Sequence, residues 1–164
     1  MYKFNLIYGY IKIDRDYYKS VKFIKELGKD DSYPFVNTNM FSFGDYERPY
    51  YYEDIPFSFA ATYKYFGLDL EDWNVFILKI ENILNNISFE TASFHINSSI
   101  GDYVFTWEKL LESQEKKYDH NNIFFAKSWS FKITFNTGSE ENDIKGLTSM
   151  GFEYPVAKRR NHNN

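Results

Sequence analysis

Cysteine is absent from the 164-residue chain, which removes disulfides, thiolate nucleophiles and cysteine-ligated metals. Histidine is scarce: the chain has His95, His120 and His162, and none stands in His-x-x-x-His or His-Glu-x-x-His spacing. The 8 glycines are scattered singly and form neither Gly-x-Gly-x-x-Gly nor a Gly-Lys-Ser/Thr loop, the arrangements that cradle phosphate. No apolar run approaches the roughly 20 residues that span a bilayer. The opening Met-Tyr-Lys-Phe-Asn-Leu-Ile-Tyr-Gly-Tyr lacks the n-region, h-region and cleavage site of a secretory signal. These absences predict a reducing, cytoplasmic location and a chain without metal or cofactor. The Asn-x-Ser sequons at Asn86 and Asn97 accordingly read as chance.

Aromatic residues, by contrast, are abundant: 21% of the chain, with 17 Phe and 15 Tyr. Net charge is −4. Lys158, Arg159 and Arg160 sit in a polar tail, so setting those three cations aside leaves −7 for residues 1–157. Such a body repels nucleic acid and anionic membrane and attracts a basic partner. The length suits one domain with a proper core, here residues 1–157, followed by a disordered polar and basic tail at 158–164.

Residues 2–13 alternate as a strand, with Phe4, Leu6, Tyr8 and Tyr10 on one face. Asp14 is placed to cap a helix running to about Leu27, where Gly28 stops it. After a turn-rich stretch, Met40–Phe43 reads as a short strand. Phe57, Phe59, Ala61, Tyr63 and Tyr65 then alternate as a strand with an aromatic face, ended by Gly67. The clearest helix opens at Asp69. Trp73, Phe76, Ile77, Ile80, Leu84 and Ile87 follow the 3,4 spacing of a buried stripe, and Asp69, Glu71 and Asp72 suit its positive N-terminus. Further strands are predicted at Phe89–Asn97, Tyr103–Lys109 and, as one long element, Ile123–Phe135. Trp107 alternates with Phe105 and is predicted in the core. Residues 110–122 read as a charged crossover, and beyond Gly138 only Leu147, Met150, Phe152 and Tyr154 offer anchors. The expected fold is α+β: a single domain, mainly antiparallel β-sheet with two packed α-helices.

The most informative segment is Gly44-Asp-Tyr-Glu-Arg-Pro-Tyr-Tyr-Tyr-Glu-Asp54. Four carboxylates (Asp45, Glu47, Glu53, Asp54) and four tyrosines (Tyr46, Tyr50, Tyr51, Tyr52) sit between the turn-formers Gly44 and Pro56, so the segment is expected at the surface. Tyrosine supplies rigid amphipathic contact area at low entropy cost, and clustered carboxylates select a cationic partner. Acid–base chemistry has one other foothold. His95 shares a strand face with Thr91, Ser93 and Asn97, which could line a cleft, although no nucleophile-and-base spacing accompanies it.

In size, acidity and lack of catalytic motifs the chain resembles the immunity proteins of bacterial toxin–immunity systems, including contact-dependent growth inhibition and polymorphic toxin systems. The residues carrying the likeness are Asp45–Asp54 and the strand Gly101-Asp102-Tyr103-Val104-Phe105-Thr106-Trp107-Glu108-Lys109. The likeness is one of type over the whole chain and transfers no residue by position. It implies a non-catalytic cytoplasmic inhibitor that binds a cognate toxin, often a basic nuclease, through complementary acidic groups. On that expectation Asp45, Glu47, Glu53 and Asp54 steer the partner, and Tyr46, Tyr50, Tyr51 and Tyr52 anchor it. Two other classes stay open: a small enzyme or ligand-binding domain built around His95, and a structural or phage accessory protein that oligomerises through its aromatic surface.

Overall fold

A computed structural model of the chain describes residues 4–44, 56–98, 101–110, 123–125 and 128–135. In chain order the elements are β1 (Phe4–Ile13), α1 (Tyr17–Lys25), β2 (Phe41–Ser42), β3 (Pro56–Lys64), α2 (Leu70–Asn86), β4 (Phe89–Ser98), β5 (Gly101–Lys109), β6 (Ile123–Phe125) and β7 (Trp129–Phe135). The strands make one seven-stranded sheet in the order β2-β3-β1-β4-β5-β7-β6. Every neighbouring pair is antiparallel. The expected α+β architecture, an antiparallel sheet with two packed helices, is what the chain forms.

Both helices lie on one face of the sheet. The stripe Trp73, Phe76, Ile77, Ile80 and Leu84 of α2 is buried because 3.6-residue periodicity brings those positions onto one side. It meets Phe59 of β3, Phe94 of β4 and Phe105 of β5 through edge-to-face and tilted rings with centroids 5.8–6.2 Å apart. Helix α1 contributes Val21 and Ile24, both buried, and Tyr17, whose ring meets Phe57 of β3 at 5.3 Å. Among the described residues, one acidic side chain enters this core. Glu81, 3% exposed, accepts a hydrogen bond from Trp107 Nε1 at 2.9 Å.

Two glycines are required by geometry. A Cβ on Gly9 would stand 2.0 Å from the Ser93 carbonyl oxygen, so β1 and β4 close together only because that atom is missing. Gly67 holds a positive φ of 84° beneath the Trp73 ring, whose Nε1 donates to its carbonyl at 3.2 Å.

Three local expectations are corrected. Helix α1 starts at Tyr17, later than a cap at Asp14 allows: the Asp14 amide donates to Ser88 O (3.0 Å), extending the β1–β4 pairing. Asp16 takes the N-cap position with a left-handed φ of 51° and no side-chain cap. The single strand expected over Ile123–Phe135 is two strands, with β6 running antiparallel along β7. Even spacing from Phe125 to Trp129 preserves the alternation across the reversal, and no Gly or Pro marks it. Finally, Tyr65 leaves the aromatic face of its strand with a φ of 64° and is 56% exposed. The crossover at 111–122, the anchors Leu147–Tyr154 and the tail 158–164 lie outside the described residues.

The connection from α1 to β2 is pinned by Lys79 of α2. Its Nζ reaches Asp30 Oδ2, Ser32 Oγ (2.9 Å) and Pro34 O (3.0 Å). Asp30 also accepts from the amides of Val36 (3.0 Å) and Ser32 (3.2 Å). Burial alone would raise the Asp30 carboxyl, but the bonds from Lys79, Val36 and Ser32 outweigh it and hold the group below the usual carboxylate range.

Two outcomes follow. Ile80→Ala is expected to cost about 2–5 kcal/mol in urea denaturation, as large-to-small core changes do; a change under about 0.5 kcal/mol would remove Ile80 from the core. Asp30→Asn is expected to cost about 1–3 kcal/mol at pH 7. Because folding depresses this carboxyl's pKa, its contribution is complete above about pH 4 and fades as pH falls further. The gap between variant and parent should therefore narrow at pH 3.

Candidate partner-binding surface

No described helix covers the second face of the sheet. There β1 presents Phe4 (65% exposed), Leu6 (40%), Tyr8 (44%) and Tyr10 (42%) in one row. Residues two apart on a strand share a face, and the opposite row, Asn5, Ile7, Ile11 and Ile13, is buried. The aliphatic row takes the core and the tyrosine row stays out, where hydroxyls keep their water. The flanking positions are small or polar: Ser58, Ala60 and Thr62 on β3, and Ser93, His95 and Asn97 on β4. The tyrosines therefore form a ridge. His95 pairs across from Tyr8 and stacks on it, with centroids 5.0 Å apart and 13° between planes. Its Nδ1 is buried without a hydrogen-bond partner among the described residues.

At one end the face opens into a cleft of about 990 Å³. Register builds it. Tyr10, Ser93 and Thr106 lie in one cross-strand row, and Lys12, Thr91 and Glu108 in the next. A bulge between Lys12 and Ile13 inserts Glu90 into β4 and turns its carboxylate outward to Lys12 Nζ at 3.0 Å. The turn after β1 forms the end wall. Asp14 Oδ2 sits 3.4 Å from Arg15 Nε and 3.7 Å from Lys109 Nζ. The lining mixes hydroxyls, both signs of charge and one aromatic ring, a surface suited to polar recognition. Among the described residues no group of three or more His, Asp and Glu is placed to hold a metal.

A second hollow, about 750 Å³, lies at the start of α2 beside Tyr33, Tyr65 and Leu68. Its acids serve the helix. Asp69 Oδ1 accepts from the Glu71 amide (3.1 Å) and Asp72 Oδ2 from the Gly67 amide (3.3 Å). Burial, aided by the neighbouring Asp69 and Glu71 charges, pushes the Asp72 carboxyl up. Burial, with the Asp72 charge adding to it, also pushes the Tyr33 phenol up to about 12, while its hydroxyl donates to Lys64 O at 2.7 Å.

The segment singled out in the sequence, Asp45, Tyr46, Glu47, Tyr50, Tyr51, Tyr52, Glu53 and Asp54, lies outside the described residues. Its attachment points are described. Pro56 pairs with Lys12, and Phe43 packs on Phe57 at 4.9 Å, so the described residues that flank the segment lie at the Lys12 end of the sheet. Thr91, Ser93, His95 and Asn97 share the open face as expected, but Thr91 and Ser93 line the cleft while His95 stacks under the tyrosine ridge. The ridge was missed in the sequence as a surface. Its signal was the contrast between the isoleucine-rich row and the tyrosine-rich row of β1. The chain matches no protein-family model, and no curated protein or solved structure shows significant similarity to it.

Face assignment is open to a direct check. Tyr8→Ala is expected to cost no more than about 1.5 kcal/mol, the scale of one lost aromatic pair. Ile7→Ala, one residue away and fully buried, should cost about 2–5 kcal/mol. Equal losses in thermal or urea unfolding would contradict the assignment.

Proposed function

We propose that the chain is a non-catalytic cytoplasmic immunity protein that binds and neutralises a basic protein toxin, a nuclease. The observation that carries this reading is the exposed row Phe4, Leu6, Tyr8 and Tyr10 on a sheet face that no described helix covers. Contiguous exposed apolar surface marks interaction sites, and tyrosine is enriched among the residues that dominate binding energy. The charge of −7 over residues 1–157 supports a basic partner. The acids of the Asp45–Asp54 segment supply steering charge on this reading. The cysteine-free composition is compatible with a reducing compartment.

The test is co-expression with a toxin encoded beside the gene, scored by growth, together with binding kinetics on the purified pair. The parent chain should restore growth. Tyr8→Ala with Tyr10→Ala should speed dissociation, by about 2 kcal/mol per central anchor. Glu53→Lys with Asp54→Lys should mainly slow association and blunt its salt dependence. His95→Phe keeps a ring to stack on Tyr8 but removes the proton chemistry, so protection should survive it. Loss of protection in a folded His95→Phe variant would favour acid–base catalysis instead. Failure of the parent chain to bind or protect would overturn the reading.

A further inference from the structure

On the open face, β4 places only Thr91 and Ser93 between Tyr10 of β1 and the Thr106 and Glu108 side of β5. These short side chains make β4 the floor of a trough within the cleft. Ser93 is 7% exposed, and its hydroxyl has no hydrogen-bond partner among the described residues. The hydroxyl lines the cleft, where an incoming donor can reach it. The lining carboxylates differ in how they are used. Asp14 is engaged by Arg15 and Lys109, and Glu90 by Lys12. Glu108 forms no ion pair among the described residues, and neither does Lys132, which pairs in register with the neighbouring Thr106.

We infer that this trough receives a guanidinium group, the head of an arginine side chain presented by the partner; the inference rests on the reading above that the partner is a basic protein. Three features converge on that chemistry. Glu108 offers two oxygens, which a guanidinium meets with parallel N–H bonds. The Ser93 and Thr91 hydroxyls lie on the floor as acceptors for the remaining N–H groups, and a guanidinium has five in a fixed plane. Tyr10 supplies an exposed ring at the trough wall for cation–π stacking. An ammonium, a compact point charge, would meet the carboxylate but has no planar face to lay on the ring and no fixed fork of N–H groups to reach the floor at the same time. Of the cations around the cleft, Arg15 and Lys109 are held by Asp14 and Lys12 by Glu90, while Lys132, on the far side of Thr106, forms no ion pair with Glu108 among the described residues.

The experiment is an amide-resolved NMR titration of the full-length protein with capped arginine, capped lysine and capped citrulline, the neutral isostere of arginine. Capped arginine should give saturable shifts confined to Tyr10, Thr91, Ser93, Thr106 and Glu108. Capped citrulline should bind about tenfold more weakly, since the charge-assisted bonds are lost. Glu108→Gln, a change on an exposed side chain, should weaken capped arginine about as much, and Ser93→Ala should weaken it less. Equal shifts from all three probes, or none that saturate, would overturn the inference. The two readings fail separately. Capped-arginine binding without neutralisation of the toxin defeats the function alone; full protection by a Glu108→Gln chain with no arginine binding defeats the trough alone.

Discussion

The seating of α2 on the aromatic face of the sheet is the contact on which the rest depends. Trp73, Phe76, Ile77 and Ile80 are fully buried against rings from β3, β4 and β5. Each such side chain is worth about 1.5–3 kcal/mol when removed from water. The same helix fixes features beyond its stripe. Lys79 pins the connection to β2, and the Trp107–Glu81 bond at 2.9 Å ties the helix to the middle of the sheet. That bond, made inside the core, holds Trp107 in one orientation by polarity as well as by packing.

Because both helices take one side, the sheet is strongly two-faced. A one-sided antiparallel sheet is expected to turn polar residues to water. β3, β4 and β5 largely comply, with Thr62, Ser58, Thr91, Asn97, Thr106 and Glu108 outward. β1 does not. It carries Phe4, Leu6, Tyr8 and Tyr10 outward in the interior of the sheet, flanked by small neighbours. Among the described residues the departure falls on β1, beside the cleft, and the proposed function rests on it.

Elements set by local periodicity were legible in the sequence. The 3,4 spacing from Trp73 to Leu84 and the capping Asp69 located α2, and the alternation of Phe105 with Trp107 located β5 in the core. Non-local features were not. The cleft is made by register among β1, β4 and β5 and by an inserted Glu90, none of which leaves a periodic trace. The β6–β7 reversal hid behind continuous alternation. Asp14 resembled a cap because a carboxylate preceding a helix is a good one, but its amide is taken by Ser88 and the helix begins later. Glu81 did leave a trace, a lone acid four residues after Ile77 on the apolar stripe, which marks a charge needing a buried donor.

The pleat of β1 places two kinds of evolutionary freedom in one ten-residue strand. At Ile7, Gly9 and Ile11 any change meets a filled core or, at Gly9, the β4 backbone itself. At Leu6, Tyr8 and Tyr10, each 40–44% exposed, a new side chain meets solvent and the neighbouring strands' side chains, and its effect on folding is smaller than in the core. Mutation can thus rewrite the outer row while the inner row keeps the chain folded. If the outer row is the binding surface proposed above, a lineage could change its partner while the inner row keeps the fold, since the two rows fall on alternate residues.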